Sequence, residues 1–427
     1  MSHADFVDTP YDALETRPPA QREAWLLQRL PELVAHAQAN APAMAERLQG
    51  LDTGTLTTRA SLARLPVTRK HELLERQGAQ REGDVFGGFA TIGWGAQRAA
   101  NQRALRVFAS PGPIYEPEGA GRDYWRMARA LHAAGFRAGD LLHNGFSYHF
   151  TPAGSMTESG AHALGCTVFP AGTGQTEQQV QAMQHLRPAG YAGTPSFLKI
   201  ILDKAAEMGV ALPSLTRALV SGEALPPSLR QALAGHGVQA LQCYATADVG
   251  LIAYETVARE GLVVDEAVIL EIVRPGTGDP LPDGEVGEVV VTTLNPDYPL
   301  IRFGTGDLSA VLTGPCPSGR TNTRIKGWMG RADQRTKVRG MFVDPAQVAD
   351  VLRRFPEIGK ARLVVAGETG QDTMSLQVEI ADPPAGLAAR VAEALRDATK
   401  LRGDVHCCAP GSLPNDGRVI EDARRYE

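Results

Sequence analysis

From about residue 120 the chain alternates two hydrophobic periods. Tyr124, Met127, Ala128 and Leu131 recur at helical spacing, with Gly135 placed where a helix C-cap belongs. Short apolar runs at Leu141–Leu142 and Cys166–Phe169 have the length of buried strands. The segment SFLKIILDKAAEMG, entered through Thr194-Pro195 and closed by Gly209, predicts another helix. Ala218–Val220 predicts a strand, Pro226–Ala234 a helix and Val238–Tyr244 a further strand. Such alternation implies a mostly parallel sheet covered by helices on both faces. Ligands of these sheets bind at the carboxyl ends of the strands, so motifs in the loops after strands carry the most weight.

The pattern changes near residue 265. Val268–Arg274 and Glu288–Thr293 are β-rich, and GTGDPLPDGEVG between them is dense in the turn residues of antiparallel hairpins. Beyond about residue 333 come a helix (Pro345–Phe355), two strands (Ala361–Val365 and Met374–Ile380) and a helix (Leu387–Thr399). The fold class expected is α/β. A large N-terminal domain, 1–331, has mixed and parallel sheets covered by helices plus a β-rich subdomain. A small α+β C-terminal domain follows at 332–427, with the boundary near Gly330–Asp333.

Composition narrows the function. The 427 residues are 43% hydrophobic and 21% charged with a net charge of −5, ordinary for a soluble globular protein. That charge argues against nucleic acid or a membrane surface as partner. The acidic start, MSHADFVDTPYDALETRPPA, lacks the pattern of a signal peptide, and no apolar run approaches a membrane span, so a cytoplasmic protein is expected. Cys166, Cys243, Cys316, Cys407 and Cys408 are too few for a disulfide framework. Cys407 and Cys408 beside His406 suggest a metal, but strand neighbours face opposite ways and chelate poorly.

Three segments carry a family likeness: RFGTGD (Arg302 to Asp307), SGEALP (Ser221 to Pro226) followed by YATAD (Tyr244 to Asp248), and GRADQRTKVRGMFVDP (Gly330 to Pro345). In this order they resemble the adenylate-forming acyl- and aryl-CoA ligases, and within them the phenylacetate–CoA ligases. LPVTRKHEL, TPSFLKII and the late PGSLP also fit that subgroup, and the likeness spans roughly residues 60 to 427. The resemblance implies two steps. A carboxylate attacks the α-phosphorus of ATP, giving an acyl-adenylate and pyrophosphate; coenzyme A then displaces AMP to give the thioester. ATP/AMP, Mg2+ and coenzyme A are the implied cofactors, an aromatic or arylacetic acid the substrate, and a homodimer a possible assembly.

The resemblance also assigns residues. Asp307, with Arg302 in step, would grip the ribose hydroxyls; the plainer reading of Asp307 is a turn residue before a strand. Tyr244 would stack on adenine, or be a core aromatic at a strand end. Ser221, Gly222, Glu223, Ala224, Ala245 and Thr246 would line the nucleotide, with Glu223 reading the base edge. Asp333 would be the hinge of a rotating C-terminal domain, and Lys337, Arg339 and Gly340 would line the coenzyme A tunnel; otherwise this is a polar linker and surface hairpin. Tyr148, His149 and Phe150 of GFSYHFTPAG would wall the acyl pocket, though His149 could equally be a core histidine.

Several positions depart from the family pattern. The phosphate loop, normally rich in Ser, Thr and Gly with a lysine, reads FASPGPIYEPEG here. Pro111 and Pro113 remove two amide donors, Glu116 adds negative charge, and only Ser110 and Gly112 look serviceable. Asp248 stands where a glutamate would help hold magnesium, so it is both the catalytic and the metal residue of that loop. Arg418 takes the place of the lysine that stabilises adenylation. Thr256 and Val263 occupy two zinc-ligand positions of some members, leaving Cys316, so no structural zinc is expected. These departures keep two alternatives open: a degenerate relative that binds AMP or an acyl-adenylate without adenylating, or an enzyme that adenylates something other than an acid.

Overall fold

The computed structural model describes residues 8–79, 83–274, 278–332, 334, 336–339, 341–343, 345–367, 372–414 and 419–424. The chain divides into two compact units, one ending at Met329 and the other beginning at Gly330.

The first unit is organised by a nine-stranded mixed sheet. Thr167–Phe169, Leu141–Asn144, Gly190–Gly193, Arg217–Val220 and Gln239–Thr246 lie side by side in parallel. At Gln239–Thr246 the sheet turns antiparallel through Gly250–Glu255 and Leu262–Val264. Helices Ala153–Leu164, Thr176–Leu186, Pro195–Glu207 and Pro227–Gly235 connect the parallel strands, as the alternating pattern predicts. Residues 190–193 are buried throughout, as befits a strand covered on both faces.

A second, four-stranded sheet pairs Val268–Val273 with Gly287–Thr293, and that strand with Phe303–Ser309, all antiparallel. The turn-rich segment therefore joins a hairpin, as expected. Arg106–Ser110 and Ile114–Glu118 make a separate two-stranded ribbon with Ser110 opposite Ile114. Leu26, Leu30, Val34 and Ala37 of the long helix Pro19–Asn40 pack into one core with Ile269, Val289, Val291 and Phe303.

One helix is shorter than its periodicity suggests. It spans only Ala128–Ala133, because Arg126 sits in the left-handed region at φ 64° and breaks the run before Met127. The Asp123 carboxylate caps the start, accepting from the Ala128 amide at 3.1 Å.

The second unit holds a hairpin, Thr336–Val338 with Met341–Val343, and a four-stranded sheet ordered Asp404–Cys408, Thr373–Glu379, Ala361–Ala366, Ile420–Asp422. Helices Pro345–Arg353 and Leu387–Thr399 complete it, and Val351, Leu363, Leu376, Val391 and Leu395 meet in its own core.

Candidate functional site

The parallel strands end at Asn144, Phe169, Gly193 and Val220, and Thr246 ends the strand beside them. Their following loops carry GFSYHF, TPS, SGEALP and the end of YATAD. Most of the sequence-marked segments of the first unit thus gather along one edge of the sheet, where open α/β sheets bind ligands.

Tyr244 and Asp307 meet there. Tyr244 is half-buried near the end of its strand, just before a register shift between Tyr244 and Ala245 that re-aims the side chains. Its hydroxyl donates to Asp307 Oδ2 at 2.8 Å. Trp328 donates through Nε1 to the other oxygen, Oδ1, at 3.1 Å. The Asp307 amide donates to Thr305 Oγ1 at 3.1 Å. Between them Gly306 takes a φ of +73°, which explains why glycine precedes the aspartate.

SGEALP closes over the neighbouring strand end. The Ser221 hydroxyl donates to the Cys243 carbonyl at 2.8 Å, tying this loop to the strand that bears Tyr244. Gly222 has φ +80°, and exposed Glu223 accepts from the Ser196 hydroxyl at 2.5 Å. Ala224, Ala245 and Thr246 are partly exposed along the same edge, and Thr246 Oγ1 accepts from the Val249 amide at 3.3 Å.

Below this lies a buried acidic pair. Glu116 is wholly inaccessible; Ser110 donates to it twice, through the hydroxyl to Oε1 at 2.5 Å and through the amide to Oε2 at 3.3 Å. Burial and the charge of Asp248 push the Glu116 carboxyl up to about 8, against the opposing influence of Ser110 and Lys70. Asp248 is itself buried. Its Oδ2 accepts from Lys70 Nζ at 3.1 Å, whereas Oδ1 has no hydrogen-bond partner among the described residues. The Tyr298 hydroxyl, also buried, likewise lacks a partner; burial, with Glu116 and Asp248 adding, raises its phenol well above the ordinary range. An orphaned carboxylate oxygen in a polar niche fits one ligand of a magnesium ion, which takes one or two carboxylates and completes its shell with phosphates and water. No group of three or more His, Cys, Asp or Glu side chains suited to a metal occurs among the described residues.

Other expected residues fall elsewhere. Arg302 is 2% exposed, and its guanidinium is engaged by Glu271 at 3.0 Å and by the carbonyls of Ala63, Leu65 and Gly278. It clamps four segments of the fold. His149 and Phe150 are exposed, Phe150 at 81%, so His149 is not a core histidine. Tyr148 is partly buried, donating to Glu158 at 2.7 Å and accepting from Asn144 Nδ2 at 2.7 Å. Gly112 is exposed between Pro111 and Pro113 at the tip of the ribbon.

In the second unit Lys337 is exposed. Arg339 is engaged there, its amide to Asp372 Oδ2 and its Nε to the Asp372 carbonyl, both at 2.9 Å. Asp333, Gly340 and Arg418 lie outside the described residues. Thr256 and Val263 are buried, and Cys316 Sγ lies 3.1 Å from Ser318 Oγ.

Sequence reasoning missed Lys70, Trp328 and Tyr298 as site residues. Lys70 begins the helix Lys70–Ala79 within LPVTRKHEL, and Trp328 precedes Gly330-Arg331 by two residues. Both lie in or beside quoted motifs, which was the available signal. Tyr298, four residues before Arg302, had none.

A model of the AMP-binding enzyme family matches residues 122–295, which contain SGEALP and YATAD. The phenylacetate-coenzyme A ligase of Thermus thermophilus is 33% identical over 390 residues, covering 87% of this chain and 84% of that protein. That of Aromatoleum evansii is 31% identical over 415 residues, covering 91% and 90%. Among solved structures, 2-hydroxyisobutyryl-CoA ligase in complex with 2-HIB-AMP and CoA matches with a TM-score of 0.74 at 25% identity, covering 97% of this chain and 92% of that one. With the motifs assembled on one sheet edge and such identity along nearly its whole length, the chain belongs to the phenylacetate–coenzyme A ligase family of AMP-binding, adenylate-forming enzymes.

Proposed function

We infer that this protein is an AMP-forming acid–CoA ligase: it activates a carboxylic acid with ATP and passes the acyl group to coenzyme A. An acid oxygen attacks the α-phosphorus, and the bond to the bridging oxygen breaks to release pyrophosphate. The coenzyme A sulfur then attacks the acyl carbon, and AMP leaves. The observation that carries the reading is the Tyr244–Asp307 pair, held at the sheet edge with the Ser221–Ala224 loop beside it.

In this reading Asp307 accepts the ribose hydroxyls and Tyr244 presents its ring to adenine. Ser221, Gly222, Glu223, Ala224, Ala245 and Thr246 line the base and α-phosphate. Asp248 Oδ1 would hold Mg2+, whose charge would offset negative charge on the phosphates. Lys70 holds Asp248 in place through the other oxygen. Arg418 supplies the cation of the adenylation step, Asp333 the pivot of the second unit, and Lys337, Arg339 and Gly340 the contacts to coenzyme A. These three roles follow the family likeness alone, as do a homodimer and a cytoplasmic setting.

The acid is aromatic or arylacetic in this reading, in keeping with the named activity of the relatives. Tyr148, fixed by Asn144 and Glu158, is the described acyl-side residue nearest to what the sequence suggested.

The test is product analysis by mass spectrometry with ATP, magnesium, coenzyme A and a panel of benzoic and arylacetic acids. AMP together with an acyl-CoA is expected. Turnover of no acid, with AMP absent throughout, would overturn the ligase reading.

A further inference from the structure

Ser110 brings two hydrogen-bond donors to the end of the ribbon strand Arg106–Ser110, and both point at one carboxyl group of the same chain. The hydroxyl reaches Glu116 Oε1 at 2.5 Å and the amide reaches Oε2 at 3.3 Å. Glu116 lies on the returning strand Ile114–Glu118 with no accessible surface, so this is a built contact and not a passing surface pair. The turn between the strands adds one more amide, that of Gly112, because Pro111 and Pro113 have no N–H. Lys70, the nearby cation, is bonded to Asp248 Oδ2. Both donors that Ser110 could offer a phosphate are therefore already engaged by a side chain of the same ribbon.

We propose that Glu116 is an internal occupant of the phosphate position and determines nucleotide preference, so that AMP or an acyl-adenylate enters readily and the β- and γ-phosphates of ATP enter only when Glu116 leaves Ser110. The proposal rests on the assignment of Asp307 and Tyr244 to the nucleotide. Phosphate oxygens brought to this ribbon find the donors of Ser110 already engaged by Glu116, and those donors must first be released. The second buried carboxylate, Asp248, adds to the unfavourable field for further negative charge. AMP places its single phosphate nearer the ribose and leaves Ser110 undisturbed.

Calorimetric titration of the full-length protein with AMP and with MgATP tests this, alongside the variants Glu116→Ala and Glu116→Gln. Wild type is expected to bind AMP more tightly than MgATP. Glu116→Ala is expected to tighten MgATP on the order of tenfold while leaving AMP within about twofold, since one or two released hydrogen bonds are at stake. Glu116→Gln, nearly isosteric, should move MgATP in the same direction by less and carries the test if the alanine variant does not fold. Unchanged or weakened MgATP binding in the variants overturns the proposal, as does a wild type that prefers MgATP. Absence of AMP binding in every folded protein overturns the nucleotide assignment of Asp307 and Tyr244 first, and the proposal with it.

Discussion

The Tyr244 hydroxyl donates to Asp307 Oδ2 at 2.8 Å across 63 residues of chain, joining the central strand of the nine-stranded sheet to a strand of the four-stranded one. Neither residue owes its place to the other's segment. The bond fixes the orientation of a carboxylate that is only 7% exposed. Tyr244→Phe keeps the ring and removes the bond. It should weaken AMP binding by roughly five- to tenfold, as expected for one hydrogen bond to a charged group, and leave the melting temperature nearly unchanged. Asp307→Ala should cost about a hundredfold. Calorimetry with AMP measures both, and equal affinities in all three proteins would remove Asp307 from the ribose.

Lys70 and Asp248 form an ion pair of unequal burial, with 37% of the lysine side chain exposed and 2% of the aspartate. Removing the cation leaves the buried carboxylate without its partner beside Glu116. Lys70→Met should destabilise by about 1–2 kcal/mol, less than for a fully buried pair because water reaches the lysine. Urea unfolding reads this directly. Lys70→Arg should retain most of the stability, and a Lys70→Met protein as stable as wild type would show that the pair holds nothing together.

Glu15 and Arg320 are both fully buried and meet at 2.7 Å, with Tyr254 and Arg129 also bonding Glu15. This cluster pins the segment before the long helix Pro19–Asn40 onto the loop after Cys316. Glu15→Ala leaves Arg320 buried beside Asp8 alone among its acidic partners. A loss of about 3–5 kcal/mol is expected from breaking one side of such a pair. The double variant Glu15→Ala with Arg320→Met should recover part of it. Denaturant midpoints of the two variants decide, and equal losses would mean that the charge left behind carries no penalty.

The same contrast between local signal and assembled network explains what the sequence disclosed. Four of the parallel strands and the helix Leu387–Thr399 were legible from their apolar runs, whereas Gly190–Gly193, a short strand with glycine at both ends, was not. The long helix Pro19–Asn40 escaped reading because Pro18, Pro19 and Pro31 look like breakers, although Leu26, Leu30, Val34 and Ala37 keep helical spacing. Motif residues were legible as a set, but not their individual duties. Arg302 and Asp307 lie five residues apart in one motif, yet one is a buried clamp and the other faces the site edge. Tyr298 could not be read at all, and Lys70 had only its place in LPVTRKHEL, since only the fold brings them to Asp248 and Glu116.

His132 gives the protein an acid limit that can be located. Its ring is 9% exposed and lies edge-on to Tyr11 at 5.4 Å, with Nδ1 lacking a partner among the described residues. Burial, reinforced by the positive charge of Arg137, lowers it to about 4, with Glu15 opposing. The unfolded chain takes up the proton near 6.5, the ordinary value, whereas the folded chain resists until about 4. Between those values the unfolded state binds more protons, so stability falls as pH falls through the window and is fully present above it. His132→Phe keeps an aromatic ring against Tyr11 and removes the titration. Melting temperatures measured from pH 7 to pH 4 should fall less steeply in the variant, by the contribution of one proton. Parallel curves for the two proteins would assign the acid sensitivity to other groups.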